Sequence, residues 1–255
     1  MNEWLALGIG VLLLYALSIL IPLALIVFLA VILIRAAAFK PKAQPKADAT
    51  PVDFDKNAAV DALRELVICK TVSYMDPALE DDAEFEKLIA KLPTLYPHVF
   101  KTCEFTRLPD RGLLLRWKGK TEGAPAVMMA HYDVVPVEEE SWQKPAFEGI
   151  IEDGVLWGRG SLDTKVTFGG VLSAAEQLIS EGFTPEKDIY FAFSGGEEVN
   201  GKGAVNIVDW FSEQGIEPAM VVDEGGAVVE NVFPGVKAPC GLIGIAEKGM
   251  MDVKY

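Results

Sequence analysis

The sequence predicts an α/β protein: a mixed, mostly parallel sheet flanked by helices, preceded by one transmembrane helix. Three observations predict it. Leu5 to Ile34 is thirty residues without a charged side chain. Beyond Asp53, short apolar runs alternate with stretches of helical periodicity, the order of strand–helix–strand units with parallel neighbours. Four apolar runs deliver an imidazole or a carboxylate at or just past their C-terminal ends. Ligands of such sheets gather beyond the carboxyl ends of the strands.

The apolar N-terminus would be roughly 45 Å long as a helix, against roughly 30 Å of bilayer hydrocarbon. One tilted or Pro22-kinked span fits, in contact with membrane lipid. A cleaved signal peptide fits less well, because no basic segment precedes the run and the run is too long. A buried core helix fits least, because every face is apolar. Residues 1–35 are therefore expected to be a single-pass membrane anchor. Arg35, Lys40, Lys42 and Lys46 lie just past the span, and the positive-inside rule places the C-terminal domain in the cytoplasm. A lone N-terminal anchor also carries domains outward, so the sequence leaves the membrane side open.

Residues 36–52 contain three prolines among Ala and Lys and are expected to be an extended linker. The folded domain is expected over residues 53–244. Its first helix runs from Lys56 to Lys70, with Val60, Leu63 and Val67 on one face. A second, from Asp81 to about Leu95, carries Phe85, Leu88, Ile89, Leu92 and Leu95 at helical spacing. Strands come next at Thr102–Arg107, Gly112–Trp117 and Ala126–Ala130. After Asp163 comes a helix with Val171, Leu172, Ala175, Leu178 and Ile179 on one face. Then come the strand Ile189–Phe193, the helix Ala204–Phe211 and the strand Met220–Val222.

Net charge is −14 overall, and the chain beyond residue 50 holds 19 bases against 35 acids. That balance excludes nucleic acid as a partner, since phosphate contacts need Lys and Arg. Cys69, Cys103 and Cys240 are far apart and odd in number. They form no disulfide framework or CxxC motif and read as small buried thiols.

His131 and Asp133 make an H-x-D pair after an apolar run. A neutral imidazole binds zinc through one nitrogen while the other donates to a fixed acceptor. Residues two apart on a strand share a side, so Asp133 can orient His131. A core histidine beside a turn aspartate explains the pair equally well. Asp163, in GRGSLDTK, is either the N-cap of the next helix or a carboxylate shared between two metals; the Gly-rich approach favours the second. Lys165 reads as a surface or pairing charge. Glu197 and Glu198 are adjacent carboxylates among glycines. One can ligate a metal while the other takes a proton from water; an exposed acidic loop is the plainer alternative. Asp223, in DEGG, is weak alone, because Asp-Glu-Gly is ordinary turn chemistry.

Taken together, H-x-D, G-R-G-x-x-D-x-K, E-E and D-E-G, each after a strand-like run, resemble the aminoacylase, carboxypeptidase S and succinyl-diaminopimelate desuccinylase family of two-zinc metallopeptidases. HYDVVPV, Trp142 and IEDGVLWGRGSLDTK resemble its carboxypeptidase S-like branch. The resemblance covers Phe54 to Tyr255. It implies that His131 and Asp223 bind one zinc, Glu198 the other, and Asp163 bridges them. Manganese or cobalt suits the same oxygen-rich donors. It implies Glu197 as general base on a metal-bridging water, Asp133 as the holder of His131, and a cis peptide between Asp163 and Thr164. The implied substrate is a dipeptide, a peptide's C-terminal residue or an N-acyl amino acid. A two-metal esterase or phosphohydrolase, and a non-catalytic membrane-tethered binding protein, are the alternatives.

Family members complete the second metal site with a histidine beyond an inserted lid and dimerisation domain, which implies a homodimer for the full-length form. The one other histidine here, His98, precedes the sheet and reads as a surface or packing residue. Residues 245–255 resemble the first strand of that lid. On this resemblance the chain is a truncated enzyme, expected to bind the second metal weakly or not at all and to show little or no turnover.

Overall fold

The computed structural model describes residues 3–39 and 51–246. Two compact units are present, Met1–Val52 and Asp53–Tyr255. In the first, α1 (Glu3–Ala38) is a continuous helix containing Pro22. Its window Ile9–Ala38 has a mean hydropathy of 3.2, and none of its residues is buried. It is long and apolar enough to cross a membrane, as an anchor or as a signal sequence. The helix runs three residues into the expected linker; residues 40–50, and 247–255 of the expected lid strand, lie outside the described residues.

The second unit opens with α2 (Lys56–Val67), whose N-cap Asp55 accepts from the Ala58 N–H at 2.9 Å, satisfying one orphan donor of the first turn. α2 buries Ala62, Leu66 and Val67, while Val60 is exposed. The expected stripe through Val60 is thus rotated, because the helix seats along the Ala62–Leu66 line against the core. α3 (Asp82–Leu95) is capped by Asp81 and buries Phe85, Leu88, Ile89 and Leu92, as its spacing predicts. A short helix, α4 (Pro97–Thr102), comes after it and delays the first strand beyond its expected start. His98 lies on α4, half-exposed, with Nδ1 2.6 Å from Glu176.

Next come β1 (Glu104–Leu108), β2 (Gly112–Trp117) and β3 (Ala126–His131), then a ribbon of β4 (Ile150–Glu152) and β5 (Val155–Trp157). After these lie α5 (Lys165–Ser180), β6 (Ile189–Ser194), α6 (Gly203–Glu213) and β7 (Met220–Val222). A small ribbon of β8 (Val228–Val229) and β9 (Cys240–Gly241) ends the described chain. The main sheet has five strands in the order β1-β2-β6-β3-β7. β3 runs parallel to both β6 and β7, whereas β1 and β2 are antiparallel neighbours.

Strand alternation sends successive side chains to opposite faces. Leu113, Leu115, Phe191 and Phe193 point toward the α2, α3 and α5 side, with Leu66, Phe168 and Leu172. Leu114, Tyr190 and Ala192 point the other way, under Ile207 and Phe211 of α6.

Lys165 is fully buried rather than a surface charge. Its Nζ donates to the carbonyls of Leu66 at 3.0 Å and Cys69 at 2.7 Å. An ammonium thus adds a second donor to the carbonyls that end α2, which also accept from the Cys69 N–H at 3.2 Å and the Thr71 N–H at 2.9 Å. Burial pushes its pKa down to about 8. Between about 8 and the ordinary 10.5 the unfolded chain holds this proton and the folded one has released it, so stability rises with pH across that window. Lys165→Met removes two hydrogen bonds from a charged donor, about 1.5–3 kcal/mol each, partly offset by sparing the ammonium's desolvation and by the backbone N–H groups of Cys69 and Thr71 that still reach the two carbonyls. A net loss of roughly 2 kcal/mol at pH 7 is expected in denaturant unfolding. The variant should also lack the alkaline rise.

Candidate metal centre

Because β3, β6 and β7 are parallel, their carboxyl ends open on the same edge of the sheet, with His131 paired to Ser194 in register. His131 is the last residue of β3 and is 2% exposed. Its Nδ1 lies 3.0 Å from the Asp133 carbonyl oxygen and 3.4 Å from the Asp133 carboxylate. Both are acceptors, so Nδ1 carries a proton and Nε2 is the nitrogen turned to the cleft. Nε2 lies 3.1 Å from Asp163 Oδ1, 3.2 Å from Glu224 Oε1 and 3.8 Å from Glu197 Oε2.

Asp133 is fully buried. Its two carboxylate oxygens accept from the backbone N–H groups of Glu197, at 3.1 Å, and Glu198, at 3.2 Å. The same side chain therefore braces His131 and pins the Glu197–Glu198 turn that leaves β6. Asp163 does not leave a strand of the main sheet. It sits in the loop between the β4–β5 ribbon and α5, and Thr164, not Asp163, is the N-cap of α5. Gly160, at φ +81°, permits the turn before it, where an added Cβ would meet Val134 at 2.6 Å. The Asp163–Thr164 peptide is cis, as the resemblance implied.

Ligand atoms of His131, Asp163 and Glu198 lie within 4.8 Å of one another, and so do those of His131, Glu197 and Glu224. Asp223 is in neither group. It is exposed, and its carboxylate accepts from the Glu224 N–H at 2.9 Å. The structure thus brings together five of the six residues singled out from sequence, while Glu224, the neighbour of the sixth, lies 3.2 Å from His131. Just past a strand, a shift of one residue turns a side chain to the opposite side. The signal for Glu224 was present in the Asp-Glu pair, but sequence could not say which of the two faces the cleft.

Burial works against an imidazolium at His131, but the Asp133 and Glu224 carboxylates outweigh it and raise the pKa to about 11. Burial also raises Glu197 and Glu198; nearby carboxylates add to that and His131 opposes it. Glu224 is raised by burial but held low on balance by hydrogen bonds from His131 and Thr164. An imidazole with carboxylates suits a divalent ion of the zinc, manganese or cobalt kind, which would take the place of the proton those carboxylates hold on His131.

A parallel sheet edge that presents an imidazole and a ring of carboxylates to a divalent ion has the layout of a metal-dependent hydrolase. Residues 127–252 match the model of peptidase family M20/M25/M40. The chain is 37% identical to a probable carboxypeptidase S-like protein of Dictyostelium discoideum, over 72% of this chain and 37% of that one. It is 33% identical to the human N-fatty-acyl-amino acid synthase/hydrolase PM20D1, over 82% of this chain and 42% of that one. Yeast carboxypeptidase S is 32% identical, over 77% and 36%. The chain therefore spans about two fifths of the length of these relatives. In fold it is similar to human carnosine dipeptidase 1, with TM-score 0.53 and 16% identity over 66% of this chain and 38% of that one. An M20 metallo-carboxypeptidase of Sulfolobus solfataricus superposes equally well, with TM-score 0.53 and 19% identity over 70% and 39%. The chain belongs to the M20 peptidase family, carboxypeptidase S-like in sequence.

Proposed function

We propose that the protein is a membrane-anchored hydrolase of amide bonds in small peptides or N-acyl amino acids. The observation that carries this is the convergence of Asp163, Glu197, Glu198 and Glu224 on the one buried imidazole. In this reading His131, Asp163, Glu198 and Glu224 hold the metal, with Glu224 in the place expected of Asp223. A zinc ion held by these residues would polarise a carbonyl and lower the pKa of water to about 7.

The remaining steps belong to the chain. Glu197, half-exposed with its carboxylate 3.8 Å from His131 Nε2, takes a proton from the attacking water and returns it to the leaving nitrogen. Burial raises its pKa, the direction that favours taking up the proton. Asp133 keeps Glu197 on station through the backbone and fixes the tautomer of His131. The sequence relatives support the substrate class, since their names specify carboxypeptidase S and N-fatty-acyl-amino acid hydrolase. α1 supports the anchor.

A panel of N-acyl amino acids, dipeptides and phosphomonoesters, offered to the zinc-loaded chain, tests the reaction class. Release of free amino acid from the first two, however slow, lost on chelation and restored by zinc, is the expected result. Release of phosphate alone would place the chemistry elsewhere.

A further inference from the structure

Tyr132 stands between His131 and Asp133 and is itself fully buried. Its hydroxyl donates to the Arg111 carbonyl at 2.9 Å, in the turn joining β1 to β2. That turn is anchored by the Arg111 guanidinium, which lies 3.6 Å from the Phe85 ring centroid and pairs with Glu80 at 2.7 Å and Asp82 at 2.5 Å. The Tyr132 carbonyl accepts from the Thr71 hydroxyl at 2.6 Å, and its N–H donates to the Ser194 carbonyl at 3.0 Å.

The ring touches two of the other three segments of the centre. It packs against Phe168 of α5, the helix just past Asp163, with centroids 5.8 Å apart. It also lies against Gly195, two residues before Glu197: a methyl group there would fall 2.6 Å from Tyr132 Cζ and 2.8 Å from the hydroxyl. Gly195 thus has no room for a side chain because the phenol occupies it.

We propose that Tyr132 is a positioning residue. Its phenol, tethered through the Arg111 carbonyl, holds the His131–Asp133 segment and the Gly195–Glu198 turn in one frame. The hydroxyl contacts no group of the metal centre and acts only through the segments it holds. Without the tether the ring is free to shift and the Glu197–Glu198 turn loosens against Asp133.

Tyr132→Phe keeps the ring contacts with Phe85 and Phe168 and removes only the tether. Two readouts on the whole chain test it, and the second alone rests on the proposed metal centre. In NMR-detected hydrogen exchange of the metal-free chain, the Glu197 and Glu198 amides should exchange about tenfold faster, with β2 and α5 amides unchanged. In cobalt titrations, affinity should fall about tenfold, in the range expected when an outer support is lost, with a shift in the visible absorption bands. Unchanged exchange at Glu197 and Glu198, or an increase shared equally by β2 and α5, overturns the proposal. If the unmodified chain takes up no cobalt, the metal centre fails while the exchange experiment still decides Tyr132.

Discussion

Zinc affinity should rise about 100-fold between pH 6 and pH 8, a factor of about ten per unit, because each ion must displace a proton from His131. The imidazole is held protonated up to about pH 11 by the carboxylates around it, so the whole interval lies on the steep limb. A histidine at the ordinary value of 6.5 would give only about a fourfold rise over the same interval. Isothermal titration in buffers of different ionisation enthalpy measures both the slope and the proton released. A fourfold change with no proton release at pH 8 would mean that the acids do not converge on His131 in solution. The stability of the metal-free fold moves the opposite way. The folded-state pKa lies above the unfolded one, so the contribution of the His131 proton is complete below about pH 6.5 and is lost as pH climbs toward 11.

Glu224→Gln should weaken zinc binding by at least about 100-fold, the upper end of what loss of a mere outer support costs. Asp223→Asn should change it little. The two carboxylates are adjacent in sequence, yet Glu224 lies 3.2 Å from His131 Nε2 and is mostly buried, whereas Asp223 is exposed and bonded to its neighbour's N–H. Gln keeps the size of Glu and removes the charge, so folding should survive and the loss report on ligation. The reverse order of effects, with Asp223→Asn the damaging change, would return Asp223 to the site and move Glu224 out of it. Melting curves of both variants without metal separate loss of ligation from loss of fold.

Much of the scaffold was legible because it rests on periodicity. Leu113 and Leu115 alternate with Leu114, and Phe85, Leu88, Ile89 and Leu92 recur at helical spacing; in the structure each set lies on one buried face. His131, Asp133, Glu197 and Glu198 were legible for a related reason. Each comes after an apolar run too short for a helix, and a parallel strand ends where ligands collect. Other features had no such signal. The β4–β5 ribbon is two three-residue strands, too short for alternation to register. α4 is six residues, opened by a proline that reads as a break. The α2 face was misplaced because Val60 is apolar without being buried. Lys165 looked like any exposed lysine, since nothing local announces that its ammonium meets carbonyls about a hundred residues away in the chain.

By itself the sequence determined the α/β class, the apolar N-terminal helix and the inventory of acids and imidazole. All of these come from local composition and spacing, which persist in any conformation of the chain. Which carboxylate of the Asp223–Glu224 pair faces His131, that Asp133 pins the glutamate turn as well as the imidazole, and that Tyr132 and Lys165 brace segments far from them in the chain were decided only by tertiary structure. A hydrogen bond or a ligand contact depends on direction to within a fraction of an ångström, and a side chain's direction is set by the register of strands that meet only once the sheet has formed.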